Sequence, residues 1–456
     1  MTDATAEFQE LGDQRFLSTA RLKTIFMLAL PILAALLTQN LMGVIDTGMI
    51  GQLGDTALAA ISIAGNQFFT LFSLLMGISA GVQMMVARRI GEGREQSTPF
   101  ILNAGLLLGA LIGLLLLVVG YTVLPFVIDA VSPDPQVADS GKRYLFTVLP
   151  SALFGGLAIA FGGFWIGASK PMVSLAVVVV QLFCNAFFNY LLIFGNLGLP
   201  AMGVAGAGLG TSIANGIGLL LHALMAFHFV GKRGFLKGLP EKAQIKTLLT
   251  VSIPMSIQQF LFALGMMIFV FIVGVLGTKE LAAFQVIIVI MMTSLMMAMG
   301  LGSTATTLVG VALGKGDADS ARRWGWEVST LGGAIIWLIG ITFFVFAKPI
   351  LAVFIADPST ADLAVTPLRI MTISLWIEAF GRILSMSLVG AGAVGTVFKI
   401  SFINQWFLRL PLYWLIGIYL EFNLVGIFVT MLFMYILQSI LFVKVWKRGN
   451  WSNIKL

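Results

Sequence analysis

Apolar runs of about 20 to 30 residues, separated by short clusters of charge, follow one another along almost the whole chain. A bilayer core takes about 20 residues of helix, so each run can span it with some tilt or a kink. The pattern predicts twelve helices, over roughly 24–51, 57–87, 100–128, 143–166, 171–195, 201–229, 248–276, 281–313, 328–355, 363–390, 396–420 and 424–444. The expected fold class is an all-α polytopic membrane protein. Composition agrees: 59% of the 456 residues are hydrophobic and only 10% charged, and the mean hydropathy of +1.00 lies outside the range of soluble domains.

The pattern is also written twice. With Pro31 placed over Pro254, an offset of 223 residues keeps matching without a gap for some sixty residues. "GQLG" at 51 falls on "GVLG" at 274, "LAA" at 58 on "LAA" at 281, Gly77 on Gly300, and "GEG" at 91 on "GKG" at 314. An even number of helices, six, separates the copies, so both insert the same way up as a parallel repeat. The expected organisation is an N-terminal segment 1–23, a six-helix bundle 24–229, a basic linker 230–247, a second bundle 248–444 and a tail 445–456.

Lys and Arg set the orientation. With both termini and the even-to-odd connections in the cytoplasm, 20 of the 27 Lys and Arg residues fall inside and four outside, while Arg369, Arg382 and Arg409 lie within helices. The net charge of +7 is thereby explained by topology, with no call for a nucleic-acid partner. The first 23 residues mix Glu7, Glu10 and Asp13 with Arg15, Arg21 and Lys23 and lack an apolar signal core, so the first helix is expected to be retained. Cys184, the only cysteine, excludes an intrachain disulfide.

Of the acidic residues, the spans place only Asp46 and Glu378 well inside helices. Such a carboxylate is costly unless neutralised, paired or hydrated, and so marks candidate chemistry. At 1.5 Å per residue, Asp46 lies about 7 Å below the outer end of the first helix and Asn189 about 9 Å below that of the fifth, with Asn185 one turn deeper. Thr211 lies about 15 Å down the sixth helix and Tyr144 at the start of the fourth, so these groups converge on the outer half of the first bundle. One carboxylate with amide and hydroxyl oxygens can hold Na⁺ or a proton. Glu378 and Arg382 are four residues apart on one face, which suits either a self-neutralised pair or a second polar site. His222 and His228 read as packed or interfacial.

Other patterns carry less. "GVALGKG" at 310 has the wrong spacing for a phosphate loop and no strand before it. "GVAGAGLG" at 203 puts Gly206 and Gly210 at the spacing of close helix packing. "MMTSLMMAMG" at 291, with Met266 and Met267, reads as lipid-facing filler or as an adaptable cavity wall.

"LALPILAALLTQNLMGVIDTGMIGQLG", "NAFFNYLLIFG", "GVAGAGLGTSIAN" and "GLGSTATTLVGVALGKGD" together resemble the multidrug and toxic compound extrusion (MATE) transporters, over essentially the whole chain. The resemblance implies two six-helix bundles forming a V around a central cavity, in the cell inner membrane. It implies export of amphipathic, often cationic small molecules in exchange for H⁺ or Na⁺, with membrane lipids as surroundings, no further cofactor, and a monomer. The family's cation-coupling aspartate falls on Asp46, with a possible Na⁺ there, and its helix-bending proline on Pro31. The accompanying polar set falls on Tyr144, Asn185, Asn189 and Thr211. Some members have aspartate where this chain has Asn189, which leaves Asp46 the only carboxylate of the set. A second cation site found in one branch would use Glu378, but Phe262 stands where its glutamate would be. A flippase for lipid-linked oligosaccharides shares the architecture, and would need several cations facing one groove. A membrane-embedded enzyme would need clustered His, Cys or acidic residues, which the spans do not supply.

Overall fold

The structure, a computed structural model, describes residues 16–454 apart from 133, 232, 233 and 239. Glu7, Glu10, Asp13 and Arg15 of the N-terminal segment, and Lys232 and Arg233 of the linker, lie outside the described residues. Among those described, helices are joined by turns and no strand occurs. The first half holds α1 (Thr19–Gly51), α2 (Asp55–Gly91), α3 (Thr98–Thr122), α4 in two pieces (Pro135–Val148 and Pro150–Gly167), α5 (Pro171–Phe194) and α6 (Val204–Val230). The second holds α7 (Lys242–Leu276), α8 (Thr278–Gly314), α9 (Ala318–Val345), α10 (Pro358–Gly390), α11 and α12 (Asn423–Arg448).

Among the described residues, eleven of these are long and apolar enough to cross a membrane, α4 by its second piece. The twelfth, α11, alternates: α-helical at Val394–Phe402, π-helical at Ile403–Arg409, α-helical at Leu410–Trp414 and π-helical again at Leu415–Tyr419. Pro411, with no N–H to donate, sits between the two wide segments.

Two helices start earlier than their apolar runs suggest. Helix α4 begins at Pro135, so Tyr144 lies in its third turn rather than at its start; the Asp134 carboxylate caps it by accepting from the Gln136 N–H at 2.8 Å. Helix α9 begins at Ala318, capped by Asp317, which accepts from the Ser320 N–H at 2.8 Å. Both first turns are polar, so capping announces them where hydropathy does not. The expected spans 100–128 and 328–355 each divide, leaving the short helices Leu124–Val131 and Ala347–Phe354.

The 223-residue register runs further in structure than in sequence identity. Asp55–Gly91 recurs as Thr278–Gly314, Glu95–Thr122 as Ala318–Val345, and Leu124–Val131 as Ala347–Phe354. Turn geometry recurs too: Gly54 and Gly277 have φ of 102° and 149°, and Gly93 and Gly316 have 71° and 80°. A Cβ is strained in that region, which is why both copies keep glycine there.

Two compact units emerge, Leu30–Phe260 and Leu261–Leu456 together with the chain up to Ala29. Their boundaries fall inside α1, just before Pro31, and inside α7. The first unit therefore includes the start of α7, which lies so close to α2 that a Cβ on Gly77 would meet the Ser256 amide nitrogen at 2.3 Å and the Ser252 carbonyl oxygen at 2.4 Å. Small residues here let two backbones touch, the usual device for packing helices where lipid gives no hydrophobic drive. The second unit includes the start of α1, held on α9 by Arg21, whose Nε donates to both oxygens of Glu327 at 2.9 and 2.6 Å. Both side chains are wholly buried, and the guanidinium lies 3.5 Å from the centre of the Trp324 ring.

Candidate cation-coupling site

Asp46 sits five residues before the end of α1. Its neighbours come from α5 and α6, and glycines bring those two helices together. A Cβ on Gly206 would meet the Leu192 carbonyl at 2.5 Å, and one on Gly210 the Asn189 amide oxygen at 2.2 Å. Only the missing side chains allow α6 this close, so the Gly206 and Gly210 spacing is a packing device that places the asparagines.

A chain of polar groups results. The Asn189 side-chain nitrogen donates to the Asp46 carboxylate at 2.5 Å and lies 3.4 Å from the Asn185 oxygen. The Asn185 nitrogen donates to the Thr211 hydroxyl at 3.3 Å, and that hydroxyl donates to the Ala207 carbonyl at 3.0 Å. Asn185 and Asn189 are wholly buried, whereas Asp46 is half-buried. None of the ion pairs among the described residues includes Asp46. Its hydrogen-bond partner is thus a neutral amide. Tyr144 stands beside the chain rather than in it, packed against the cluster of Ile50, Ile193 and Ala207. The structure brings Asp46, Asn185, Asn189 and Thr211 into one network, with Tyr144 as its wall.

The donor set can be tested against Na⁺, which requires several oxygens converging on one point. Asn189 offers its nitrogen to Asp46, the Asn185 oxygen already faces Asn189, and the Asn189 oxygen is turned toward Gly210. Besides the carboxylate, the Asn189 oxygen is left without a hydrogen-bond partner, but it faces Gly210 while the amide nitrogen faces Asp46, so these residues as arranged do not bring several oxygens to one point for Na⁺. They fit a proton: an amide donates its N–H to an ionised carboxylate, and after a flip offers its oxygen to a protonated one.

Elsewhere, Glu378 and Arg382 form the i to i+4 contact, Arg382 Nε to Glu378 Oε1 at 2.5 Å. Of the three helix-embedded arginines, Arg382 and Arg409 line one cavity in the second unit, with Phe262, Met266 and Met291 among its apolar walls. Arg369 is exposed and lies over Phe344. His222 accepts from the Trp165 indole N–H at 3.1 Å and stacks on Phe161, so it is a packed core residue. The reading that only Asp46 and Glu378 are acids inside helices needs correction. Glu327, placed outside the expected span, is in α9 and wholly buried. Its signal was present in "DADSARRWGWE", a polar stretch with a capping aspartate and helical spacing.

Residues 31–191 and 254–415 each match the MatE family, one copy per half, and the chain belongs to that family. A "Probable multidrug resistance protein NorM" of Thermotoga maritima is 26% identical, with 94% of this chain and 93% of that protein covered. A Pseudomonas putida protein of the same description is 29% identical over 90% of each. The Vibrio cholerae MATE transporter VcmN in the bent form superposes with a TM-score of 0.85 at 18% identity, covering 98% of this chain and 99% of that one. The family is one of transporters rather than enzymes, and the fold is the all-α polytopic fold expected.

Proposed function

We propose that this protein is a secondary active exporter of amphipathic small molecules, cationic compounds among them, driven by protons that bind at Asp46. It sits in the cell inner membrane as a monomer, in contact with lipid and with both termini in the cytoplasm, the orientation that the Lys and Arg distribution favours. The observation that carries the proposal is the hydrogen bond from Asn189 to a carboxylate with no cationic partner among the described residues.

In the cycle, a proton entering from outside neutralises Asp46. The Asn189 N–H then loses its anionic acceptor and the amide turns over to accept instead, which changes the contact between α1 and α5. Pro31, where one backbone hydrogen bond of α1 is missing, is where the helix yields to that change. Substrate affinity falls and the compound leaves outward; after reorientation the proton passes to the cytoplasm. Each inward charge supplies about 2.3 kcal/mol per 100 mV.

The test is uptake of a fluorescent cationic compound into inverted vesicles, with H⁺ and Na⁺ gradients imposed separately. The wild type should respond to the proton gradient, and Asp46→Asn, which keeps the volume but not the titration, should lose accumulation while remaining folded and inserted. Accumulation driven by Na⁺ alone, or undiminished in Asp46→Asn, would overturn the proposal.

A further inference from the structure

The cavity in the second unit has a charge balance unlike that of a cation site. It is lined by one carboxylate, Glu378, against two guanidinium groups, Arg382 and Arg409. The carboxylate is already taken, bonded to Arg382 at 2.5 Å. Arg409 is in none of the ion pairs among the described residues. Its Nη2 donates to the neutral oxygens of Asn404 at 3.3 Å and Gln438 at 3.1 Å, and its Cζ lies 4.7 Å from the centre of the Tyr435 ring. These contacts orient the guanidinium without cancelling its charge.

Two donors on this wall are left over. Arg409 Nε and the Tyr413 hydroxyl are buried and have no hydrogen-bond partner among the described residues, although both residues line the cavity. Tyr413 is itself only 1% exposed, its ring packed 4.7 Å from that of Phe269. Buried donors are normally satisfied, and two exceptions side by side around unbalanced positive charge describe a place for an acceptor that carries negative charge. The backbone points the same way: Arg409 closes the π-helical segment Ile403–Arg409, and such widened turns recur at functional positions in helices.

Size narrows the chemistry. The cavity is about 40 Å³, on a measure in which one water needs about 10 to 15 Å³. A group of three or four heavy atoms fits, and a whole drug does not. We propose that this cavity binds a carboxylate, its oxygens accepting from Arg409 Nε and Tyr413 Oη, with Phe262 and the methionines around whatever the carboxylate is attached to. The cavity's lining residues and Asp46 belong to different units, and binding here does not depend on proton coupling. The carboxylate is either a small anion held in the bundle or the acidic end of a transported zwitterion.

Calorimetric titration of the purified, detergent-solubilised full chain with acetate, and with acetamide as its neutral isostere, tests the site. Acetate should bind saturably and acetamide should not. Arg409→Gln should weaken acetate binding by about tenfold or more, and Tyr413→Phe by several-fold, the loss of one hydrogen bond to a charged group. If Arg409→Gln fails to fold, the single hydroxyl removed in Tyr413→Phe carries the test. No saturable acetate binding, equal binding of acetamide, or unchanged affinity in the variants would overturn the proposal. Asp46→Asn should leave acetate affinity intact, so failure here is separable from failure of the export reading. Proteoliposome uptake of labelled glycine, a small zwitterion, then distinguishes the sources: uptake lost in Arg409→Gln assigns the pocket to the acidic end of a transported zwitterion, and acetate binding without glycine uptake to a resident anion.

Discussion

Replacing Glu327 by Gln should cost this protein more than any surface change. The carboxylate accepts from Arg21 Nε with both oxygens, at 2.9 and 2.6 Å, and from the Leu17 N–H at 3.0 Å. Both members of the ion pair are fully buried. Breaking a buried pair by removing one charge costs about 3 to 5 kcal/mol. The amide of Gln keeps one acceptor oxygen, and Trp324 at 3.5 Å still offers its ring face, worth about 2 kcal/mol in a desolvated setting. The lower end, about 3 kcal/mol, is therefore expected, a change of more than about a hundredfold in the unfolding equilibrium. Arg21→Met combined with Glu327→Leu removes both charges of the pair and should recover all but about 2 kcal/mol, the cation–π share. Denaturant unfolding in detergent micelles, monitored by tryptophan fluorescence, measures each corner of the cycle. A Glu327→Gln loss under about 0.5 kcal/mol, or a double variant as unstable as the sum of the singles, would refute the reasoning.

Two further changes probe the polar groups. Glu378→Gln alone strands Arg382 and should lower both stability and export, whereas Glu378→Gln with Arg382→Gln should restore much of the loss; absence of rescue in either a thermal-unfolding or an export assay would show that Glu378 does more than neutralise its neighbour. Gly210→Ala puts a methyl about 2.2 Å from the Asn189 oxygen, so Asn189 must move off Asp46. Overpacking of this kind costs about 1 to 3 kcal/mol. Export should fall with the protein still inserted, and unchanged export kinetics would remove Asn189 from the coupling chain.

Hydropathy displayed the architecture because lipid imposes it: every spanning segment must be apolar and about 20 residues long. It displayed the members of the polar cluster as well. Counting depth along α1, α5 and α6 brought Asp46, Asn189, Asn185 and Thr211 to the outer half of the first bundle, since a fixed rise of 1.5 Å per residue turns sequence position into height. What depth cannot tell is which face a side chain takes. Tyr144, expected at the start of the fourth helix, lies in its third turn and stands beside the hydrogen-bond chain, as a packing wall. Glu327 was hidden because the first turns of α9 are polar, and its partner Arg21 is 306 residues away. Arg409 was visible as a charge inside a helix, but its orphaned Nε depends on the contacts of α11 and α12, which no local spacing encodes.

The recurrence of helix and turn lengths at one offset has a practical consequence. Between Asp55–Gly91 and Thr278–Gly314 neither copy has gained or lost a residue, and glycines with positive φ stand just before and just after both, Gly54 and Gly93 in one, Gly277 and Gly316 in the other. The two stretches are interchangeable parts of equal length with the same hinges at their ends. Cutting at those glycines and exchanging the pieces would move one half's side chains into the other half's setting with no change in chain length. Such chimaeras would separate what each bundle owes to its own residues from what it owes to its position in the chain.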